Sequence, residues 1–360
     1  MAGASRTTLL AIAALSVSAA AAAATDDDAR ALLGRMERAL ASRNYQGIFV
    51  HEHGGHAETL RIIHRAEAAG FVERIVSLDG SGREVIRRAG ESRAYFPDQH
   101  TVLVESGQRG GLLFPGLTSL GSATGQIYTV REESPTRISG REARVVVVEP
   151  RDELRYGYRV WIDERSAMPL KTQMRTAGGR VVEQLVFTEL TLPAKIDDAA
   201  LQPAVATRQY RWMHRATVNG DVAGRPADAT WDAAELPPGF RLIGNSTQTV
   251  GNGQRTVTHL VFSDGLAVVS VFVETQPRPL PAAQPGAPTP APATATAAAT
   301  AIATATTMTQ LGSSSALSTE VDGHRVTAIG EVPPETVRAI TRSLRVGFAS
   351  GATAVAGARP

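Results

Sequence analysis

Residues Leu154–Leu192 read LRYGYRVWIDERSAMPLKTQMRTAGGRVVEQLVFTELTL, and this stretch decides the fold. Tyr156, Tyr158, Val160 and Ile162 alternate with Gly157, Arg159, Trp161 and Asp163, the period-two pattern of a strand with two different faces. Glu164 to Ala167 turns the chain, Pro169 stands near the next strand's start, and Gly178-Gly179 supplies a second reversal. Leu185 and Phe187 share one face of a third strand. Connections this short leave no room for a crossover helix, so the three strands predict an antiparallel meander. Nothing in the stretch makes a catalytic constellation.

The preceding residues extend the pattern. Asp26–Arg43 predicts a helix: its acidic start suits the positive end of the helix dipole, and Ala29, Leu32, Leu33, Met36 and Leu40 form one apolar stripe. Tyr45–His53, Thr59–Arg65, Phe71–Leu78, Glu84–Arg88, Arg93–Phe96, Thr101–Glu105, Ile127–Arg131 and Arg144–Pro150 are short, β-rich and separated by turn residues. Gly107–Gly125, glycine-rich with several leucines, reads as an apolar loop or short helix able to act as a flap. An antiparallel sheet of about eleven strands curls by its own twist. A helix laid inside the curl makes an incomplete barrel, and the space between helix and sheet is an apolar groove suited to a hydrophobic ligand. Gly47 and Gly157, inside strands, mark close approach or sharp curvature.

Residues 25–195 thus form a first domain, and residues 196–215 read as a linker. A smaller α+β domain, residues 216–346, follows. Its strands are Thr230–Glu235, Phe240–Thr249, Thr256–Ser263 and Leu266–Glu274, with further strand structure over Thr319–Ala328 around the Asp322-Gly323 turn, and Pro334–Arg345 closes it as a helix with Val337, Ile340 and Leu344 on one face. Within it, residues 276–309 are dominated by Pro, Ala and Thr with Arg278 the one charge; lacking apolar periodicity, they predict a disordered insertion. Residues 347–360 predict a loose tail.

Composition narrows the function. Residues 1–24 read as a cleaved signal peptide, with Arg6, an apolar stretch too short to span a membrane, and an alanine run offering A-x-A cleavage sites. The mature protein is therefore expected to be exported and soluble. There is no cysteine, so neither disulfides nor thiolate chemistry is available. The formal charge is +2 and the arginines are scattered, which argues against nucleic acid as a partner. His51, His53 and His56 gather near one hairpin, but their spacing matches no strong metal signature and the ends of hairpins are commonly polar. No serine sits in G-x-S-x-G, and the Asp152-Glu153 and Asp163-Glu164 pairs fall in turns, so no catalytic residue, metal ligand or cofactor is expected. Trp161 lies either in the core or on the outer face as an anchor.

Three motifs carry a resemblance: Asn44 to Val50 (NYQGIFV), Tyr158 to Asp163 (YRVWID) with Met168 to Lys171 (MPLK), and Gly330 to Pro334 (GEVPP). In this order, with a two-domain length, the chain resembles the RseB/MucB family of periplasmic regulators over nearly all of its mature length. The resemblance implies an α+β fold: a large N-terminal unclosed antiparallel β-barrel similar to the LolA/LolB lipoprotein carriers, with helices in its concavity, plus the smaller C-terminal domain. It implies binding to the periplasmic domain of a membrane-spanning anti-sigma factor, protection of that domain from site-one proteolysis, and relief of protection by lipopolysaccharide or another acylated ligand. The Ala/Thr/Pro insertion departs from the family pattern. The expected groove-lining set is Phe49, Leu60, Ile62, Ile75, Val160, Ile162, Leu185 and Phe187, with Met36 and Leu40 from the helix; alternation puts them on a shared face only strand by strand and does not register one strand against another. The alternative is a lipoprotein or lipid carrier on the same fold, which would not need the second domain; homo-oligomerisation is left open.

Overall fold

The computed structural model describes residues 9–68, 70–88, 90–106, 120, 125–216, 230–250, 255–274 and 306–347, with helix side chains from residue 26 onward. Its two compact units are Met1–Asn219 with Gly265–Ala267 and Leu311–Ser313, and Gly220–Asp264 with Val268–Gln310 and Ser314–Pro360.

The first unit begins with helix α1 (Leu9–Ser42). The helix starts well before Asp26, where the sequence reading placed it. The alanine run joined to it has the highest helix propensity of any residue and offers no stop signal. The strands that follow are β1 (Tyr45–His53), β2 (His56–Glu67), β3 (Gly70–Ser77), β4 (Glu84–Arg88), β5 (Glu91–Phe96) and β6 (Thr101–Ser106). A second series comprises β7 (Tyr128–Ile138), β8 (Arg141–Pro150), β9 (Gly157–Asp163), β10 (Pro169–Arg175) and β11 (Val181–Thr191), with β12 (Arg211–Ala216) last. All belong to one sheet in the order β12-β6-β5-β4-β3-β2-β1-β11-β10-β9-β8-β7. Two meanders are thus joined by the antiparallel β1–β11 pair, and the end strands β12 and β7 do not pair, so the sheet is not closed.

One pairing breaks the antiparallel rule: β12 runs parallel to β6. This corrects the reading of residues 196–215 as a linker. Ala194, Ile196 and Leu201 pack on Ile63 and Val72, and Val205 and Tyr210 pack on Ile86, Tyr95 and Val102. A 3-10 turn at Asp198–Leu201 offers the Ala200 carbonyl to Arg74 at 3.1 Å. The segment therefore covers the sheet's outer face before entering it as β12. Its small apolar residues carried too weak a period to be read as a covering layer.

Both strand glycines mark close backbone approach. A Cβ on Gly47 would stand 2.4 Å from the Glu189 carbonyl oxygen and 3.0 Å from the Phe187 ring; on Gly157 it would stand 2.6 Å from the Val148 carbonyl oxygen. Trp161 faces outward from β9, but is buried with Ala143, Val145 and Leu170. Arg159 and Lys171 each stand 4.9 Å from its ring centroid. Most of the flap segment lies outside the described residues; Leu120 within it is buried in the core.

The second unit has strands β13 (Thr230–Ala233), β14 (Arg241–Val250), β15 (Arg255–Ser263), β16 (Val268–Glu274), β17 (Thr307–Leu311), β18 (Ser314–Val321) and β19 (His324–Gly330), then helix α2 (Pro334–Ser343) and β20 (Leu344–Gly347). Six strands form a sheet in the order β14-β15-β16-β19-β18-β17, and β13 pairs with β20. Val337 and Ile340 of α2 are fully buried, as are Val271, Val326 and Ala328 of the sheet. The helix ends two residues earlier than the periodicity predicts: Leu344 is extended and fully buried, and Arg345 pairs with Asp232. The last residues of the 276–309 segment, Thr307 to Thr309, belong to β17; residues 276–305 and 348–360 lie outside the described residues.

His259 on β15 is 4% exposed, with its ring stacked on Phe272 at 4.5 Å. Burial pushes its pKa down from 6.5 to about 4. Between these values the unfolded chain takes up a proton that the folded chain refuses. Stability fully present above pH 6.5 is therefore lost as pH falls towards 4, by up to about 3 kcal/mol. Thermal unfolding of the full chain across that range, compared with His259→Phe, checks this. The variant is expected to lose that part of the slope.

Candidate ligand-binding site

The ten residues assigned to the groove wall come from six separate elements, and the fold brings every one of them into a single cluster. Helix α1 contributes Met36 and Leu40; β1, β2 and β3 contribute Phe49, Leu60, Ile62 and Ile75; β9 and β11 contribute Val160, Ile162, Leu185 and Phe187. The register explains the assembly. Phe49 faces Leu60 across one ladder and Phe187 across the other, so their side chains share one face, and the Phe49 and Phe187 rings lie 5.6 Å apart. Val160 and Leu185 both pair with Thr172, which extends the same row across β10.

The helix stripe closes over this wall. Ala29, Leu32, Leu33, Met36, Ala39 and Leu40 are all buried, and α1 packs against both β2 and β7, which stand far apart in the sheet order. In this structure the ten residues are a packed core, not an open groove, since none is more than 8% exposed. Each large apolar side chain so buried contributes roughly 1.5–3 kcal/mol to folding. A ligand taken up here has to displace α1 from the wall.

At the rim of the same face, His51 and His53 lie with ring centroids 4.9 Å apart, and His51 Nε2 is 2.8 Å from a Glu183 carboxylate oxygen. Burial pushes the Glu183 carboxyl up, but hydrogen bonding, first from His51, brings its pKa below the ordinary value. His56 pairs with His53 across the hairpin and is exposed. Among the described residues no group of three His, Asp or Glu side chains is placed to hold a metal ion.

Sequence reasoning missed a second row on the inner face. Tyr45, His64, Glu73, Arg87, Ser92 and Glu105 stand directly opposite one another across successive strands from β1 to β6. The first five are buried, with His64 stacked on Tyr45 at 4.7 Å and its Nδ1 3.3 Å from Glu73. Burial lowers the Arg87 pKa against the opposing pull of Glu73 and Glu105. The only signal in the sequence was a polar residue at an inward position in each strand, and its meaning depends on register.

The first unit thus holds an apolar wall covered by α1, with a few polar groups at its rim. Comparison with known proteins places it more closely. The MucB/RseB N-terminal domain family matches residues 28–205, and the MucB/RseB C-terminal domain family matches residues 225–291. The sigma factor AlgU regulatory protein MucB of Pseudomonas aeruginosa is 31% identical over 323 residues, covering 88% of this chain and 91% of that protein. The sigma-E factor regulatory protein RseB of Escherichia coli K12 is 24% identical over 330 residues, covering 89% and 91%. Among solved structures, the Pseudomonas aeruginosa MucA/MucB complex aligns with a TM-score of 0.64 at 28% identity, covering 89% of this chain and all of that one. MucB in complex with MucA(peri) aligns at 0.63 with 27% identity over the same shares. The chain belongs to the MucB/RseB family.

Proposed function

We propose that this protein is an exported, periplasmic regulator that binds the periplasmic domain of a membrane-spanning anti-sigma factor and shields it from site-one proteolysis. It thereby holds an envelope-stress sigma factor inactive. The observation that carries the reading is the likeness, over the full length of the solved chain, to MucB in complex with MucA(peri). The relatives' common description as sigma factor regulatory proteins supports it.

The sheet is read as an unclosed barrel curled round α1, and its wall as the site for an acylated ligand such as lipopolysaccharide. Ligand and partner are then linked: chains that displace α1 favour a conformation with weaker partner affinity, and the partner weakens ligand binding by the same factor. The test is a titration of the mature chain with the purified periplasmic domain of the anti-sigma factor, with and without added lipopolysaccharide. Saturable binding weakened by the lipid is expected; no binding in either condition refutes the regulator reading.

A further inference from the structure

About half of the described arginines of the first unit are paired with a carboxylate. Arg65, Arg74, Arg83, Arg131, Arg144 and Arg159 each hold a carboxylate oxygen within 3.1 Å. Among those without an ion pair, four gather at one place. Arg35, Arg38 and Arg43, from the C-terminal part of α1, and Arg165, from the turn between β9 and β10, line one concavity of about 500 Å³. All four are exposed, and none forms an ion pair with a described residue. Glu164 is the one carboxylate of the lining, so four positive charges against one leave the concavity at +3.

Its walls are held in place. Arg35 and Arg38 are three residues apart on a helix and so face the same side. The Arg43 amide continues the helical pattern by donating to the Ala39 carbonyl at 3.1 Å. Across the gap, the buried Asp163 carboxylate accepts from the Ser166 amide at 3.0 Å and from its hydroxyl at 2.5 Å. The Ala167 amide donates to the Asp163 carbonyl at 2.9 Å, fixing the turn that presents Arg165. The concavity borders the apolar core: Ala39 of its lining belongs to the core cluster, Ala167 packs against it, and the neighbouring Met168 is fully buried in it.

A cationic concavity set beside the apolar core fits an amphiphile whose head carries clustered negative charge. Guanidinium forks match phosphate oxygens two at a time, and a volume of this size accommodates a phosphorylated sugar or glycerol head. We propose that Arg35, Arg38, Arg43 and Arg165 form the binding site for the phosphate-bearing head of an acylated ligand whose chains enter beneath α1. The chain-entry half rests on the acylated-ligand reading above; the head site stands on the arginines alone. A bound head bridges the end of α1 to the β9–β10 turn, which places it where displacement of the helix is controlled.

The test uses the mature full chain and vesicles of phosphatidylcholine with or without phosphatidic acid, read by co-sedimentation, together with inorganic phosphate and glycerol 3-phosphate as soluble competitors. Binding is expected only with phosphatidic acid, and is expected to weaken as salt rises. Arg35→Glu with Arg38→Glu is expected to weaken it at least about tenfold, and Arg165→Glu severalfold. Arg180→Glu, on the exposed β10–β11 turn, is expected to leave it unchanged. Wild-type binding by the double variant overturns the head site, as does a wild-type chain that binds neither vesicle nor phosphate. If the double variant loses anti-sigma-factor binding but keeps the vesicles, the concavity is a peptide surface and the proposal is wrong. If soluble phosphate binds through these arginines but acyl chains add nothing to affinity, the head site stands and the apolar-wall reading falls.

Discussion

Phe187→Ala is expected to cost the first unit about 3–5 kcal/mol, the range for removing a fully buried aromatic and leaving a cavity. Phe187 is 1% exposed, sits 5.6 Å from the Phe49 ring, and occupies space that Gly47 leaves open by having no Cβ. The surroundings are poorly able to collapse into the gap. The Gly47 backbone is already in close contact, and α1 is held by Met36 and Leu40 against the same wall. For a unit of this length the change corresponds to a fall of roughly 10 °C in midpoint. Urea unfolding followed by far-UV circular dichroism measures it. A loss below about 1 kcal/mol would mean that the ring lines open space, as in a preformed groove, and not a packed core.

Glu73→Ala is expected to be nearly as severe, at about 3–5 kcal/mol, for a different reason. Glu73 is 1% exposed between His64 and Arg87, which are 3% and 4% exposed. Removing the carboxylate keeps the Arg87 cation out of water with less negative charge beside it, and takes from His64 its 3.3 Å partner. A matched surface substitution sets the scale. Glu149 pairs with Arg131 at 2.9 Å with both side chains about half exposed, and Glu149→Ala is expected to cost no more than about 1 kcal/mol. Chemical denaturation of both variants at one pH gives the comparison. Equal losses would refute the assignment of the inner row as a buried ionic ladder.

The parts of the fold legible in the sequence are those set by local chemistry. The β9–β11 meander could be read because alternation, Pro169 and Gly178-Gly179 all act within a few residues. Gly47 and Gly157 pointed to sharp curvature or close approach because a glycine inside a strand gives up side-chain packing, and the structure shows close approach at both. The same alternation, strand by strand, and the helix stripe picked out ten residues that the fold gathers into one cluster. Neither showed that α1 fills the space in front of them, because the depth of a helix in a sheet depends on the sum of the side chains between.

Long-range pairing was not legible at all. The β1–β11 ladder joins Phe49 to Phe187, and nothing near either residue specifies the other. The parallel β12–β6 pair turned an expected linker into sheet, and the Tyr45-to-Glu105 row exists only once five registers are fixed. The arginine concavity shares this character. Arg35 and Arg165 look like two of many scattered cations until α1 and the β9–β10 turn are set face to face.

The central claim is that this chain protects a membrane-bound anti-sigma factor. It is tested most directly by the rate at which the site-one protease cleaves that factor's periplasmic domain as the mature chain is added. The account predicts that cleavage falls in a saturable manner as the chain is added and that lipopolysaccharide restores it. An unchanged cleavage rate at saturating protein would contradict it.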